Sequence, residues 1–210
     1  MAPIEAAFQE RWPDVARMNL FDDALALDLE REDRLTEQLT VRIRRLAEYC
    51  IAGGADAVLF TCSAFGAAIE EFAATAPIPV LKPNEAMFEQ ALTHGARIGM
   101  LATFLPAVAS MEAEFHAEAR RKGVKATIET RCVPEAMAAA KAGDYLLHNR
   151  LLAEAAVHFK GFDVLMLAQF SMSGALGDVR ENLPVPVLAS PHAAVEKLKT
   201  ILSGTGNKRP

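Results

Sequence analysis

The chain has 210 residues, 51% of them hydrophobic and 23% charged, a composition typical of a globular protein with an ample core. Its net charge of −5 argues against a nucleic-acid partner, because phosphate binding requires clustered lysines and arginines. Its three cysteines lack zinc-site or disulfide spacing, and no apolar run approaches the roughly 20 residues that span a membrane. We therefore expect a cytoplasmic protein with no nucleic-acid partner and no membrane association.

Short apolar runs alternate with amphipathic helical stretches along the chain, the pattern of a parallel α/β fold. Helices are predicted near Ile4 to Glu10 and over Asp33 to Ile51, where apolar residues recur on one helix face. The tail over 203–210, rich in glycine and charge, is expected to be disordered. The predicted strands are, in chain order, Ala57–Thr61, Val80–Lys82, Ile98–Thr103, Thr127–Thr130, Val164–Ala168 and Val187–Ala189.

The second half of the sequence repeats the first at an offset of 107 residues, the interval between Asp56 and Asp163. Three segment pairs share this offset: 4–8 with 111–115, 56–60 with 163–167, and 77–81 with 184–188. Separate segments rarely hold one register by chance, so the repeat predicts two α/β halves, over residues 1–95 and 96–210. The opening strand of the second half has its counterpart before Met1. The first half is therefore expected to lack its first strand, either because the start of the sequence has been truncated or because this half is built without that strand.

Two strand-to-turn segments carry a resemblance to a known family. Val58-Leu-Phe-Thr-Cys-Ser-Ala-Phe-Gly and Val164-Leu-Met-Leu-Ala-Gln-Phe-Ser-Met resemble the two cysteine motifs of the aspartate/glutamate/hydantoin racemases. Arg97-Ile-Gly-Met-Leu-Ala-Thr-Phe is similar to that family's second-half opening strand, and the resemblance covers nearly the whole chain. It implies two pseudo-symmetric α/β/α halves with parallel sheets, a cleft between their strand ends, and a homodimer.

The resemblance also implies a chemistry, with one departure from the family pattern. In that family two thiols approach the substrate α-carbon from opposite faces, and backbone N–H groups and hydroxyls hold the α-carboxylate. This chain has Cys62 at the first position, but the counterpart at offset 107 is Gln169, which cannot exchange a proton with carbon. The implied function is a cofactor-independent isomerase or racemase that acts next to a carboxylate or carbonyl, with Cys62 as the acid/base thiol.

Two alternatives stay open because the second thiol is absent. One is a single-cysteine decarboxylase similar to the arylmalonate decarboxylases, although their cysteine lies in the second half. The other is a non-catalytic protein that binds small acids on the same fold, since a fold does not determine a function.

Cys62 lies between a predicted strand and a helix expected to begin near Ser63 or Ala64. The positive end of a helix favours a thiolate, and ligands bind at the carboxyl ends of parallel strands. The alternative is a small residue buried in the core, which is our interpretation of Cys50. Nothing in the sequence assigns a role to Cys132.

The implied partner is a small carboxylic acid or an amino-acid-like substrate. Candidate substrate-binding residues flank the two motif turns and end the second half's opening strand: Thr61, Ser63, Ala64, Thr103, Gln169, Phe170 and Ser171. The alternatives are a helix cap for Ser63, turn stabilisation for Gln169 and Ser171, and strand propensity for Thr103. His192 is a weaker candidate for a second proton donor, and a solvent-exposed helix start is the favoured interpretation of it. No cofactor motif or metal-ligand spacing occurs, so no cofactor and no metal are expected.

Overall fold

The structure is a computed structural model in which residues 2–205 are described. The helices are α1 (Ala2–Arg11), α2 (Ala24–Glu32), α3 (Glu37–Ala52), α4 (Gly66–Ala73), α5 (Glu85–His94), α6 (Val108–Lys122), α7 (Pro134–Lys141), α8 (Tyr145–Ala156), α9 (Leu176–Asn182) and α10 (Ser190–Thr205). The strands are β1 (Val58–Leu59), β2 (Val80–Leu81), β3 (Arg97–Ala102), β4 (Thr127–Cys132), β5 (Val164–Leu167) and β6 (Val187–Ala189). None of the helices within residues 2–205 is long and apolar enough to cross a membrane.

The chain divides into two compact units that differ from the two repeated halves. The larger unit comprises residues 2–11 and 84–195, and the smaller unit comprises 12–83 and 196–205. The helices α1 and α5 belong to the first half by sequence but pack in the larger unit, with the second half's elements. The halves 1–95 and 96–210 therefore remain a prediction about repetition, whereas the compact units describe packing.

The larger unit contains a four-stranded parallel sheet in the order β4-β3-β5-β6. All four residues of β5 are buried, as expected for a central parallel strand covered on both faces. The strand β4 alternates exposed and half-buried residues because it lies at the sheet edge. Phe88 of α5 and Phe115 of α6 are both buried and pack edge to face, with ring centroids 5.9 Å apart.

A close approach in the larger unit requires a glycine. Gly99 lies in β3 directly under the ring of Phe159, where an added Cβ would overlap the ring. The absence of a side chain therefore lets a buried aromatic residue pack onto the strand backbone.

The smaller unit contains the two-stranded parallel sheet of β1 and β2, with α3 and α4 packed beside it. Its core includes the buried residues Ile43, Ala47, Val58, Ile69 and Val80. The predicted start of α3 at Asp33 is wrong by four residues. The hydroxyl of Thr36 accepts the N–H of Leu39 at 3.3 Å, so Thr36 caps the helix and α3 begins at Glu37.

A charge cluster joins α2 to α3 within the smaller unit. The guanidinium of Arg42 in α3 donates to both carboxylate oxygens of Asp22 at 2.6 and 2.7 Å and to Asp28 of α2 at 2.6 Å. The side chains of Asp22 and Asp28 raise the pKa of Arg42 through these hydrogen bonds. The apolar side of the same contact is formed by Leu25 and Leu29, which pack against the core.

The predicted 107-residue repeat recurs in the backbone hydrogen bonds. Val58 donates to Pro79 O at 2.9 Å, and Leu165, which is 107 residues further on, donates to Pro186 O at 2.9 Å. The register is also shared, since Val58 is paired with Val80 and Leu165 with Val187. The helices share the offset as well. When 107 is added to the first residue of each helix from α1 to α5, the result lies within three residues of the start of the corresponding helix from α6 to α10.

The smaller unit holds counterparts of β5 and β6 but of neither β3 nor β4. The position equivalent to β3 precedes Met1, so the absence of that strand stays a prediction. The counterpart of β4 is 20–25, where the structure has no strand. In the larger unit β4 pairs with β3 alone, and within residues 2–205 no strand pairs with 20–25.

The tail predicted to be disordered covers residues 203–210. Residues 203–205 belong to α10, so the tail is helical there, contrary to the prediction. The remaining residues of the tail, 206–210, lie outside the described residues.

Candidate active site

The candidate residues lie at the carboxyl ends of parallel strands, where ligands bind in open α/β sheets. Residues 61–64 directly follow β1 in the smaller unit. Thr103 follows β3 in the larger unit, and residues 169–171 follow β5 of the same sheet. The structure therefore brings together one set of candidates within each unit.

In the smaller unit, Cys62 is exposed and has an extended backbone with φ −120° and ψ 119°. The 3₁₀ turn Ser63–Phe65 follows it, and Phe65 is buried in the unit's core. The α-helix predicted to begin near Ser63 or Ala64 begins instead at Gly66, because the chain first makes this tight turn. The sulfur is therefore carried by the residue before a 3₁₀ turn, not by one adjoining the α-helix.

The neighbours of Cys62 are accessible. Thr61 and Ala64 are exposed, and Ser63 is half-buried. The capping positions of the turn and of α4 are occupied by Cys62 and Phe65, and neither has a side-chain cap hydrogen bond. Ser63 is therefore not the helix cap considered as its alternative role.

In the larger unit, Gln169 and Thr103 are joined by two hydrogen bonds. The N–H and the hydroxyl of Thr103 donate to Oε1 of Gln169 at 3.0 and 3.2 Å. The Thr103 side chain is buried, with the residue 3% exposed. Because the backbone N–H can only donate, these bonds fix the amide orientation, with Oε1 towards Thr103. Thr103 therefore has a specific hydrogen-bonding partner in Gln169, beyond the strand propensity considered as its alternative role.

The other end of the Gln169 amide has no partner. Its Nε2 is buried and makes no hydrogen bond within the described part of the chain. A buried donor without an acceptor is costly, by about 1–3 kcal/mol. An acceptor oxygen of a ligand would satisfy it.

Phe170 and Ser171 begin the 3₁₀ stretch Phe170–Ala175 that follows Gln169. Phe170 is half-buried and Ser171 is exposed. The N–H of Met172 donates to Gln169 O at 3.0 Å and closes the turn, while α1 packs against the stretch. Gln169 itself is extended, with φ −103° and ψ 147°, as Cys62 is at the equivalent turn.

The sequence family model described as Asp/Glu/Hydantoin racemase matches residues 1–198. The chain belongs to this family. The predicted resemblance, the α/β fold class and the membership of an isomerase family are thereby confirmed.

Solved structures of racemases share the fold. Allantoin racemase from Klebsiella pneumoniae is 17% identical with a TM-score of 0.68, covering 98% of this chain and 82% of its own. Picrophilus torridus aspartate racemase is 16% identical with a TM-score of 0.67, covering 100% and 90%. Glutamate racemase isoform RacE1 from Bacillus anthracis is 14% identical with a TM-score of 0.66, covering 98% and 78%. No curated protein sequence is a significant match.

This racemase-family chain has a further polar pair that sequence reasoning did not identify. Nε2 of His192, which follows β6, lies 3.0 Å from Oε2 of Glu10 at the end of α1. Hydrogen bonding to His192 lowers the pKa of Glu10, and Arg11 and Arg180 contribute in the same direction. The side chain of His192 is 13% exposed, so its interpretation as a solvent-exposed residue is wrong. Its Nδ1 is buried and unpartnered within residues 2–205.

The other two cysteines differ from Cys62 in their environment. Cys50 and Cys132 are both half-buried. Burial raises the pKa of each thiol, and the charge of Glu135 raises that of Cys132 further while a hydrogen bond from Val133 lowers it. Cys50 packs against the core of the smaller unit, as predicted.

Proposed function

We propose that this racemase-family chain is a cofactor-independent isomerase that acts at the carbon next to a carboxylate or carbonyl of a small acid. Cys62 is the group that removes and returns the proton. The observation that carries the proposal is the exposed thiol of Cys62, held extended at the carboxyl end of β1 before a tight turn. A thiolate is both a nucleophile and a proton acceptor, so an accessible thiol at a strand end suits this reaction.

A carboxylate or carbonyl oxygen of the substrate binds the amide of Gln169 in this proposal. The unpartnered Nε2 is a donor, so it selects an acceptor. Thr103 holds the amide in this orientation through Oε1. The substrate is a small carboxylic acid or an amino-acid-like molecule. We assign to its binding the accessible residues Thr61, Ser63, Ala64 and Ser171 and the half-buried Phe170. These assignments come from the family resemblance.

The amide at position 169 limits the stereochemistry. Glutamine binds an oxygen but does not transfer a proton to carbon. With Cys62 alone, the proton leaves and returns on one face, so the substrate exchanges its α-hydrogen with retention of configuration. Net racemisation requires a second proton donor, for which His192 is a weaker candidate.

Gln169 also favours a second candidate function, decarboxylation. In this reaction the bond between the α-carbon and a carboxyl carbon breaks, carbon dioxide leaves, and the resulting carbanion takes a proton from the Cys62 thiol. One proton donor is sufficient. A third interpretation is a protein that binds a small acid without catalysis. The experiment described next tests all three.

The experiment follows α-hydrogen exchange in heavy water by NMR with aspartate, glutamate, hydantoins, allantoin and substituted malonates. We expect exchange in at least one of these compounds, reduced at least about 100-fold in Cys62→Ser, in line with the loss of an acid/base group. Cys50→Ser is the matched control and retains activity. Release of carbon dioxide from a malonate would favour the decarboxylase, and binding without any turnover would contradict both enzymatic proposals.

A homodimer is proposed from the family resemblance alone, and a cytoplasmic location from the lack of disulfide spacing among the three cysteines. Light scattering across a concentration series tests the dimer. A constant monomer mass would contradict it.

A further inference from the structure

We propose that a basic pocket at the amino ends of β3 and β4 binds a small organic phosphate. The pocket lies wholly within the larger unit and has a volume of about 490 Å³, which falls in the range of about 300–1,000 Å³ that is usual for small-molecule sites. Its basic lining residues are Arg97, His116, Arg120 and Lys125. The inference is independent of the proposed function.

The pocket lies at the opposite end of the sheet from the candidate active-site residues of the larger unit. Arg97 and Thr127, which line it, are the first residues of β3 and β4, whereas Thr103 directly follows β3. The six residues of β3 separate the two ends by about 20 Å, at about 3.3 Å per residue. A ligand in the pocket therefore does not occupy the position assigned to the substrate.

The charge of the pocket has one sign. Arg97, Arg120 and Lys125 are cationic, and among the described residues no aspartate or glutamate lines the pocket. The whole chain has 27 acidic residues against 22 lysines and arginines, so the pocket is opposite in sign to the chain as a whole. Charges of one sign in a concave surface focus the electric field and concentrate ions of the other sign. The pocket therefore selects an anion.

The guanidinium of Arg97 is held in place by its neighbours. It donates to Gly161 O at 3.3 Å and lies over the ring of Phe162, 4.2 Å from the centroid. A planar guanidinium that is already oriented matches the oxygens of a phosphate. The charge of Asp163 acts on Arg97 and offsets part of its positive charge. The net charge of the pocket therefore comes mainly from Arg120 and Lys125.

Arg120 differs from the two basic residues that follow it in α6. Arg121 and Lys122 both contact Glu89, at 2.9 and 3.1 Å, and neither lines the pocket. The side chains of Arg120 and Lys125 have no hydrogen bond or ion pair within residues 2–205. The helix dipole accounts for a cation at the end of α6, but Lys125 lies beyond the helix, in the loop before β4. These two cations are therefore available to a ligand.

The rest of the lining indicates an organic ligand. Ala119 is buried, and Val124 and Ala126 are half-buried and pack against the core. An inorganic ion would leave this apolar surface uncovered. A phosphate monoester carries close to two negative charges on one group at neutral pH, which two or three cations can share, whereas a carboxylate carries one. The lining therefore fits a phosphate with a small apolar body.

The test is a titration of the full chain with phenyl phosphate, followed by NMR of the backbone amides. We expect saturable shifts at Arg97, Lys125 and Thr127. Benzoate is the matched probe, because it has the same ring with a carboxylate in place of the phosphate. We expect its affinity to be at least about tenfold lower.

A pair of double variants tests the two cations. Arg120→Gln with Lys125→Gln should weaken phenyl phosphate binding at least about tenfold, since it removes both charges. The control is Arg131→Gln with Lys141→Gln, which makes the same charge change at exposed positions of the larger unit outside the pocket. It should keep the affinity within about twofold, because charges beyond a Debye length are largely screened. Urea midpoints confirm that both double variants are folded.

Three results would overturn the proposal. They are an absence of saturable phenyl phosphate binding, equal affinities for phenyl phosphate and benzoate, and an equal loss of affinity in the two double variants. Shifts confined to Thr103 and residues 169–171 would place the ligand at the candidate active site and would also overturn it. If Arg120→Gln with Lys125→Gln does not fold, the location of the shifts in the wild-type chain decides.

Discussion

The three thiols of this chain differ in accessibility. Cys62 is exposed, whereas Cys50 and Cys132 are half-buried, with their pKa raised mainly by burial. A raised thiol pKa reduces the thiolate fraction at neutral pH, and the thiolate is the form that reacts. We therefore expect iodoacetamide to alkylate Cys62 first, at a rate at least tenfold above that of the other two.

Peptide mass mapping of time points measures the order of alkylation. Unfolding the protein in urea is the control, since it should make the three rates similar. If Cys50 or Cys132 reacts as fast as Cys62 in the native protein, the assignment of Cys62 as the reactive thiol is wrong.

The amide of Gln169 gives a prediction about binding. Gln169→Glu replaces the buried Nε2 donor with an oxygen, which would repel a substrate carboxylate. We expect KM for a confirmed substrate to rise about 10- to 100-fold, since hydrogen bonds to charged groups contribute about 1.5–3 kcal/mol. Steady-state kinetics separates this from a change in kcat.

Thr103→Val is the comparison variant for Gln169. It removes the hydroxyl that donates to Oε1 but leaves the backbone N–H bond at 3.0 Å. The amide should stay oriented, so KM should change only a few fold. A larger effect from Thr103→Val than from Gln169→Glu would contradict the proposed donor role of Nε2.

Individual site residues could be predicted where the chain's repeat fixes their position. Cys62 and Gln169 were found because each ends an apolar run at the same offset, and both precede a 3₁₀ turn. The bonds of Thr103 to Gln169 and of Glu10 to His192 could not be predicted. They join residues distant in sequence, 182 apart for Glu10 and His192, and tertiary packing leaves no spacing pattern.

The positions of the strands were predictable, but their lengths were not. The strand β1 was predicted over residues 57–61 and spans Val58–Leu59, whereas β4 extends to Cys132, beyond its predicted end at 130. A strand's length depends on its neighbours. In the larger unit β3 and β4 pair over six residues each, while β1 has β2 as its partner within the described residues.

Gly99 tests the packing of β3 against Phe159. In Gly99→Ala the new methyl group would overlap the buried Phe159 ring, so we expect destabilisation of about 1–3 kcal/mol from overpacking. Gly177→Ala is the matched control, because it lies in α9 with no atom within 4 Å of the new Cβ. It should stabilise the protein by about 0.5–1 kcal/mol. Urea denaturation measures both, and equal effects would contradict the close approach.

At the scale of the whole chain, we predict that the contribution of α1 to stability changes with pH. The pKa of Glu10 is lowered, chiefly by its hydrogen bond to His192. A lowered carboxyl pKa contributes stability above the ordinary value, and this contribution is lost as the pH falls through the folded-state pKa. We expect Glu10→Gln to flatten the stability profile from about pH 5 downward.

Urea midpoints from neutral to acidic pH measure the Glu10 effect. Glu112→Gln on α6, for which no ion pair or hydrogen bond is described, is the control and should leave the profile unchanged. If Glu10→Gln and the wild-type chain lose stability in parallel on acidification, the hydrogen bond between Glu10 and His192 does not contribute.

The discontinuous make-up of the larger unit has a consequence for biosynthesis. The helix α1 buries Ile4 and Ala7 and packs against Phe170–Ala175, about 160 residues later in the chain. A ribosome adding about 5–20 residues per second needs roughly 10 to 30 seconds for that interval. During this time α1 has emerged without its partner, and its apolar face is available to chaperones or to other nascent chains. The helix α1 is therefore synthesised first but can be buried only after its partner segment has been made.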